Sequence, residues 1–137
     1  MVRVIMGVKG TGKTKQMIEL INSAAKSESG SVVCIEYGSK LTYDIHYQIR
    51  LIDSKEYAIG SFEMLKGFIS GLHAGNYDIT KVFIESLTKL VDVSAEDPQV
   101  EKFLDWLNAF GEKNGINFTV TISADSSLAS DGVKKYF

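Results

Sequence analysis

Gly7-Val8-Lys9-Gly10-Thr11-Gly12-Lys13-Thr14 follows the spacing G-x-x-x-x-G-K-T, and its flanks are the ones that spacing needs. Ahead of it, Val2-Arg3-Val4-Ile5-Met6 is a short β-branched run that reads as a buried strand. Behind it, Met17, Ile18, Leu20, Ile21, Ala24 and Ala25 recur at helical spacing, which predicts a helix from Lys13 to about Lys26. A strand entering a glycine-rich loop that turns into a helix N-terminus makes an anion site. Its backbone N–H groups and the positive end of the helix dipole converge on one point. Gly7, Gly10 and Gly12 allow backbone angles and a close approach that a side chain would block. Val8, Lys9 and Thr11 complete the loop. In such a loop the lysine, Lys13, reaches the β- and γ-phosphates of a nucleotide, and the Thr14 hydroxyl ligates Mg²⁺. The pattern therefore predicts binding of a nucleoside triphosphate.

The rest of the chain alternates strand-like and helical segments, as in an α/β fold with a mostly parallel sheet. Val32–Ile35 reads as a second strand, ending at Glu36. Over Leu41–Ile52, Tyr43, Ile45, Tyr47, Ile49 and Leu51 alternate with polar residues, which fits a strand. A short helical turn leading into Ile49–Ile52 fits as well. Ser61 can cap a helix running to about Gly75, with Phe62, Leu65, Phe68, Ile69 and Leu72 buried. Gly67, Gly71 and Gly75 form a smooth stripe on that helix, read as a close-packing face against the sheet, with a dimerisation or partner-binding face as the alternative. Val82–Ile84 is the next strand, ending at Glu85-Ser86. Asp97-Pro98 starts a helix whose apolar face is Val100, Phe103, Leu104, Leu107 and Phe110, with Trp106 at the rim; Asn114-Gly115 ends it. Ile116–Ser123 is the last strand, and a polar tail follows. That short tail would leave the outer side of the first strand uncovered, an edge open to self-association.

Composition narrows the class. The 137 residues are 45% apolar, which suits one domain, residues 1–137, with a real core. A net charge of -2 gives no basic footprint, so nucleic acid is not an expected partner. No hydrophobic run is long enough to span a bilayer. The lone Cys34 excludes an internal disulfide and falls in an apolar strand, so a core position in a reducing cytoplasm is expected.

In open α/β sheets, ligands gather at the carboxyl ends of the strands. Glu36, Glu85 and Ser123/Asp125 end the other strands and should face the loop. A carboxylate after an apolar strand suits outer coordination of Mg²⁺, which points to Glu85.

At this level the chain resembles the P-loop NTPase superfamily, whose Walker A loop is the G-x-x-x-x-G-K-T pattern. More closely, it is similar to a minimal RecA-like ATPase core. There a glycine precedes a second strand ending in a catalytic glutamate, as in Gly30-Ser31-Val32-Val33-Cys34-Ile35-Glu36. A later apolar strand ends in an acid and a serine, as in Val82-Phe83-Ile84-Glu85-Ser86-Leu87, with glutamate replacing aspartate. The resemblance implies a three-layer fold with helices on both faces of the sheet. It also implies that Glu36 polarises the attacking water, Glu85 organises Mg²⁺, and Ser123 or Asp125 senses the γ-phosphate. Ser86 stands where many hydrolysing members carry a catalytic glutamate, which argues against fast turnover.

Three uses of the loop stay open. The first is a slow or partner-dependent Mg-ATPase. The second is a non-catalytic nucleotide-dependent switch or scaffold that binds another protein or a second copy. The third is a small-molecule kinase, for which Tyr37, Tyr43, His46 and Tyr47 could line an acceptor pocket or pack as a sheet edge. Phosphoryl transfer normally needs an added cation, worth about three to five orders of magnitude when an arginine supplies it. The only arginines are Arg3 and Arg50. No N-K-x-D segment selects guanine, so ATP is the default nucleotide, although no residue selects adenine.

Overall fold

The alternating apolar segments resolve into five parallel strands with helices on both faces in the computed structural model, which describes all 137 residues. The elements are β1 (Val2–Gly7), α1 (Lys13–Ser27), β2 (Ser31–Glu36), β3 (Arg50–Asp53), α2 (Phe62–Gly75), β4 (Ile79–Ile84), α3 (Leu87–Leu90), α4 (Pro98–Asn114), β5 (Asn117–Ser123) and α5 (Asp131–Lys134). The strands lie in the order β1-β5-β4-β2-β3, every neighbouring pair parallel. No helix is long and apolar enough to cross a membrane.

Strand alternation divides the core in two. Val33 and Ile35 of β2, Val82 and Ile84 of β4, and Phe118, Val120 and Ile122 of β5 face α2 and α4. Val32, Cys34 and Phe83 face the other way, onto Met17, Ile21 and Ala24 of α1. Leu107, Leu104 and Leu65 are fully enclosed on the larger side. Each such side chain contributes about 1.5–3 kcal/mol relative to exposure. Cys34 belongs to the smaller core, and burial pushes its thiol above the ordinary range.

The caps predicted for α2 and α4 are made. Ser61 Oγ accepts the Met64 N–H at 3.2 Å, and Asp97 accepts the Gln99 N–H at 2.9 Å with Pro98 at the first turn. Gly115, at φ 69°, ends α4. Trp106 is half-buried, stacked between Phe103 and Phe110.

Three expectations are corrected. In Leu41–Ile52 only Arg50 onward is strand, so of the two readings the alternation as one continuous strand falls and a turn leading into the Ile49–Ile52 segment fits. The preceding residues turn because Asn22 of α1 pins them: its amide donates to the Asp44 carbonyl at 2.9 Å and accepts the His46 N–H at 2.8 Å. Tyr43 and Tyr47 are therefore 97% and 87% exposed, neither packed on the sheet edge nor turned inward. The glycine stripe of α2 is not a packing face, since a Cβ at Gly67, Gly71 or Gly75 would meet nothing within 4 Å. Phe62, Leu65 and Ile69 bury the other side of the helix instead. The outer side of β1 is not wholly open, because the tail folds back and the Tyr136 carbonyl accepts the Val4 N–H at 2.7 Å.

Candidate functional site

All five strands point their carboxyl ends to one side. The connection leaving β1 enters α1 on one face of the sheet. The connection leaving β4 enters α3 and α4 on the other. Chains that diverge to opposite faces leave a crevice between them. Here it is a cleft of ≈ 500 Å³, floored by Ser123 at the end of the intervening β5.

The loop Gly7–Thr14 forms one wall. Gly10 and Gly12 sit at φ 88° and 83°, left-handed conformations that favour glycine. Gly7 is needed for a different reason: a Cβ there would stand 2.7 Å from Thr11 Oγ1. That hydroxyl donates to the Val8 carbonyl at 2.8 Å and closes the loop on itself. No side chain caps α1. The N–H groups of Lys13, Thr14 and Lys15 have no acceptor in the protein, so the positive end of the helix is turned to the cleft undiminished.

The facing wall carries Glu85, Ser86, Lys89 and Lys40. Glu85 is largely buried, accepts the Ser86 hydroxyl at 2.9 Å, and faces Lys40 with Nζ 3.4 Å from Oε1. Ser86 is held at φ 58°, uncommon for a residue with a side chain, by donating its N–H to Thr121 Oγ1 at 2.8 Å. Lys89 extends over the Tyr37 ring, 5.5 Å from its centre, with Lys55 4.6 Å from the same ring.

None of the ten residues lining the cleft is apolar. Four are lysines (Lys9, Lys13, Lys40 and Lys89) and the only acid among them is Glu85. Pockets for organic ligands are lined mainly by apolar and aromatic side chains. The lining here is polar and carries a net positive charge.

The expected residues are sorted by this geometry. Lys13, Thr14, Glu85 and Ser123 meet in the cleft with Gly10 and Gly12. Asp125 does not join them. It borders a separate hollow of ≈ 370 Å³ on the other side of the loop, beside Val8 and Thr11. Its carboxylate accepts the Ser127 N–H at 2.9 Å, which holds it below the usual carboxylate range.

Glu36 is 0% exposed and is not among the residues lining the cleft. Its Oε2 accepts the Leu41 N–H at 3.2 Å, while its Oε1 has no partner. Burial pushes this carboxyl above the ordinary range, the Leu41 N–H opposes that, and the nearby Glu85 adds to it.

Arg50 is exposed at the start of β3, and Arg3 borders a small cleft with Lys81 and Glu28; neither lines the basic cleft. The cations there are lysines: Lys9 and Lys13 belong to the loop read from the sequence, whereas Lys40 and Lys89 are ones that motif reading passed over. Lys40 lies four residues past Glu36 and Lys89 four past Glu85, so the strand-end rule would have reached both had it been carried one turn further.

Compared with known families and with curated proteins, the chain matches no family model and no curated protein.

Proposed function

We propose that the cleft binds the polyphosphate of a nucleoside triphosphate, ATP by default, with Mg²⁺. On this reading the chain is a P-loop NTPase of RecA-like type that hydrolyses slowly or only when a partner completes the site. The observation that carries it is the N-terminus of α1, without a side-chain cap and preceded by the positive-φ glycines Gly10 and Gly12, opening into a cleft with four lysines and no apolar lining residue. Backbone N–H groups of the loop would hold the phosphate oxygens, and Lys13 would neutralise the terminal ones.

Thr14 and Glu85 fit a hard cation, since both bring oxygen to the same cleft. No group of three or more His, Cys, Asp or Glu gathers there, so phosphate oxygens and water would complete its shell. Mg²⁺ at that place would offset charge developing on the phosphates during transfer.

Slow turnover is supported by Glu36. A general base must reach the water it activates. Glu36 is enclosed and bound to Leu41, so it would act only after the Leu41 segment moves. The same enclosure favours the second reading, a nucleotide-dependent switch. A small-molecule kinase is less well supported, because neither arginine borders the cleft to clamp a second substrate.

The test is Mg-ATP binding and steady-state phosphate release by the wild type, Lys13→Ala and Glu36→Gln. Loss of a charge-assisted phosphate contact is worth about 1.5–3 kcal/mol, so Lys13→Ala should bind about ten- to a hundredfold more weakly. Unchanged affinity would sink the reading. If Glu36 is the base, Glu36→Gln should keep binding and lose about two to four orders of magnitude in turnover.

A further inference from the structure

Phosphoryl transfer normally needs a cation on the terminal phosphate in addition to the loop lysine, and both arginines lie outside the cleft. Two lysines face the loop from the opposite wall, and their settings differ. Lys89 is engaged with the Tyr37 ring. Lys40 lines the cleft with its Nζ 3.4 Å from the buried Glu85 carboxylate. Its backbone is fixed on one side: Leu41 is buried and its N–H is held by Glu36, so the side chain projects from a rooted loop. The Lys40 side chain is itself 53% exposed, so nothing packed around it fixes its direction beyond the Glu85 pair.

Resting on the nucleotide reading above, we propose that Lys40, acting from the wall opposite Lys13, distinguishes a triphosphate from a diphosphate in this cleft. With a divalent cation beside Glu85, the ammonium loses its partner's charge and meets a like charge. The strongest negative charge left within reach is then the terminal phosphate. Lys40 exchanges Glu85 for that phosphate, the place that an arginine fills in other phosphoryl-transfer sites. A diphosphate offers nothing at that position. The exchange ties triphosphate recognition to the loop rooted by Glu36, which also carries the exposed Tyr43 and Tyr47.

The experiment measures affinities for Mg-ADP and for a non-hydrolysable Mg-ATP analogue by calorimetric titration. The proteins are the wild type, Lys40→Ala, Lys40→Arg and Lys89→Ala. Lys40→Ala should bind Mg-ADP within about twofold of wild type and the triphosphate analogue about tenfold more weakly, the lower end for a charge-assisted contact. Lys40→Arg should restore the preference, and Lys89→Ala should leave the ratio of the two affinities unchanged. An unaltered ratio in Lys40→Ala, or an equal shift in Lys89→Ala, overturns the assignment to Lys40 while leaving nucleotide binding intact. A wild type that binds neither nucleotide overturns both readings.

Discussion

The Glu36 carboxylate accepts the Leu41 N–H at 3.2 Å from a position with no solvent exposure, and its second oxygen is without a partner. One acid thereby links the end of β2 to the loop that carries Lys40. The arrangement holds the loop but leaves a carboxyl group poorly compensated.

That imbalance has a pH signature. Burial, the largest cause, raises the Glu36 pKa above 4.5, its ordinary value. A group whose pKa is raised on folding contributes stability below its unfolded value and loses that contribution as pH rises through the folded one. Glu36→Gln keeps an acceptor for Leu41 and removes the titration. The variant should match wild type near pH 4 and gain about 1–3 kcal/mol by neutral pH, the scale of a buried group lacking a partner. Urea melts at several pH values measure it. A gain that stays flat or shrinks as pH rises would contradict the assignment.

Glycines of α2 and α4 should respond in opposite directions. At Gly67 and Gly71 of α2 an added Cβ meets nothing within 4 Å, so alanine should stabilise by about 0.5–1 kcal/mol at each. At Gly111 of α4 a Cβ would collide with the Ile116 carbonyl oxygen and lie 3.3 Å from the Phe118 ring. Gly111→Ala should cost about 1–3 kcal/mol through overpacking. Chemical denaturation of the three variants is the check. Loss of stability in Gly67→Ala would mean that the α2 face is covered in solution.

The tail guards the edge of the sheet. The Tyr136 carbonyl takes the Val4 N–H, the Tyr136 hydroxyl bonds to Asp105 of α4, and Lys135 pairs with Asp105 at 3.0 Å. Removing Lys135–Phe137 frees that edge while leaving Val133 in the core. An uncovered strand edge recruits another chain. Sedimentation velocity should show the truncated protein associating more with rising concentration than the full chain does. Identical behaviour of the two would show that this contact does not limit association at the edge.

Much of the fold was legible because the relevant forces are local. The caps Ser61 and Asp97-Pro98 act within one turn, and the apolar stripe of α4 is read directly from its spacing. The Tyr43–Ile49 alternation misled because a non-local partner, Asn22, decides that backbone. The glycine stripe misled because spacing tells which residues share a face but not what lies opposite that face.

The sequence by itself determined the loop. Gly7, Gly10, Gly12, Lys13 and Thr14 act through backbone angles and a helix end that neighbouring residues create, and the strand feeding them is written in the apolar, β-branched residues Val2, Val4 and Ile5. Tertiary structure alone decided what faces that loop. Inserting β5 between β1 and β4 brought Ser123 to the floor and Glu85 with Lys40 to the far wall, and it left Asp125 behind the loop; Glu36, ending β2 between β4 and β3, lies beneath the surface under the Leu41 segment. Those placements depend on strand order and on which face each connection takes, and both are set by packing between residues far apart in the chain.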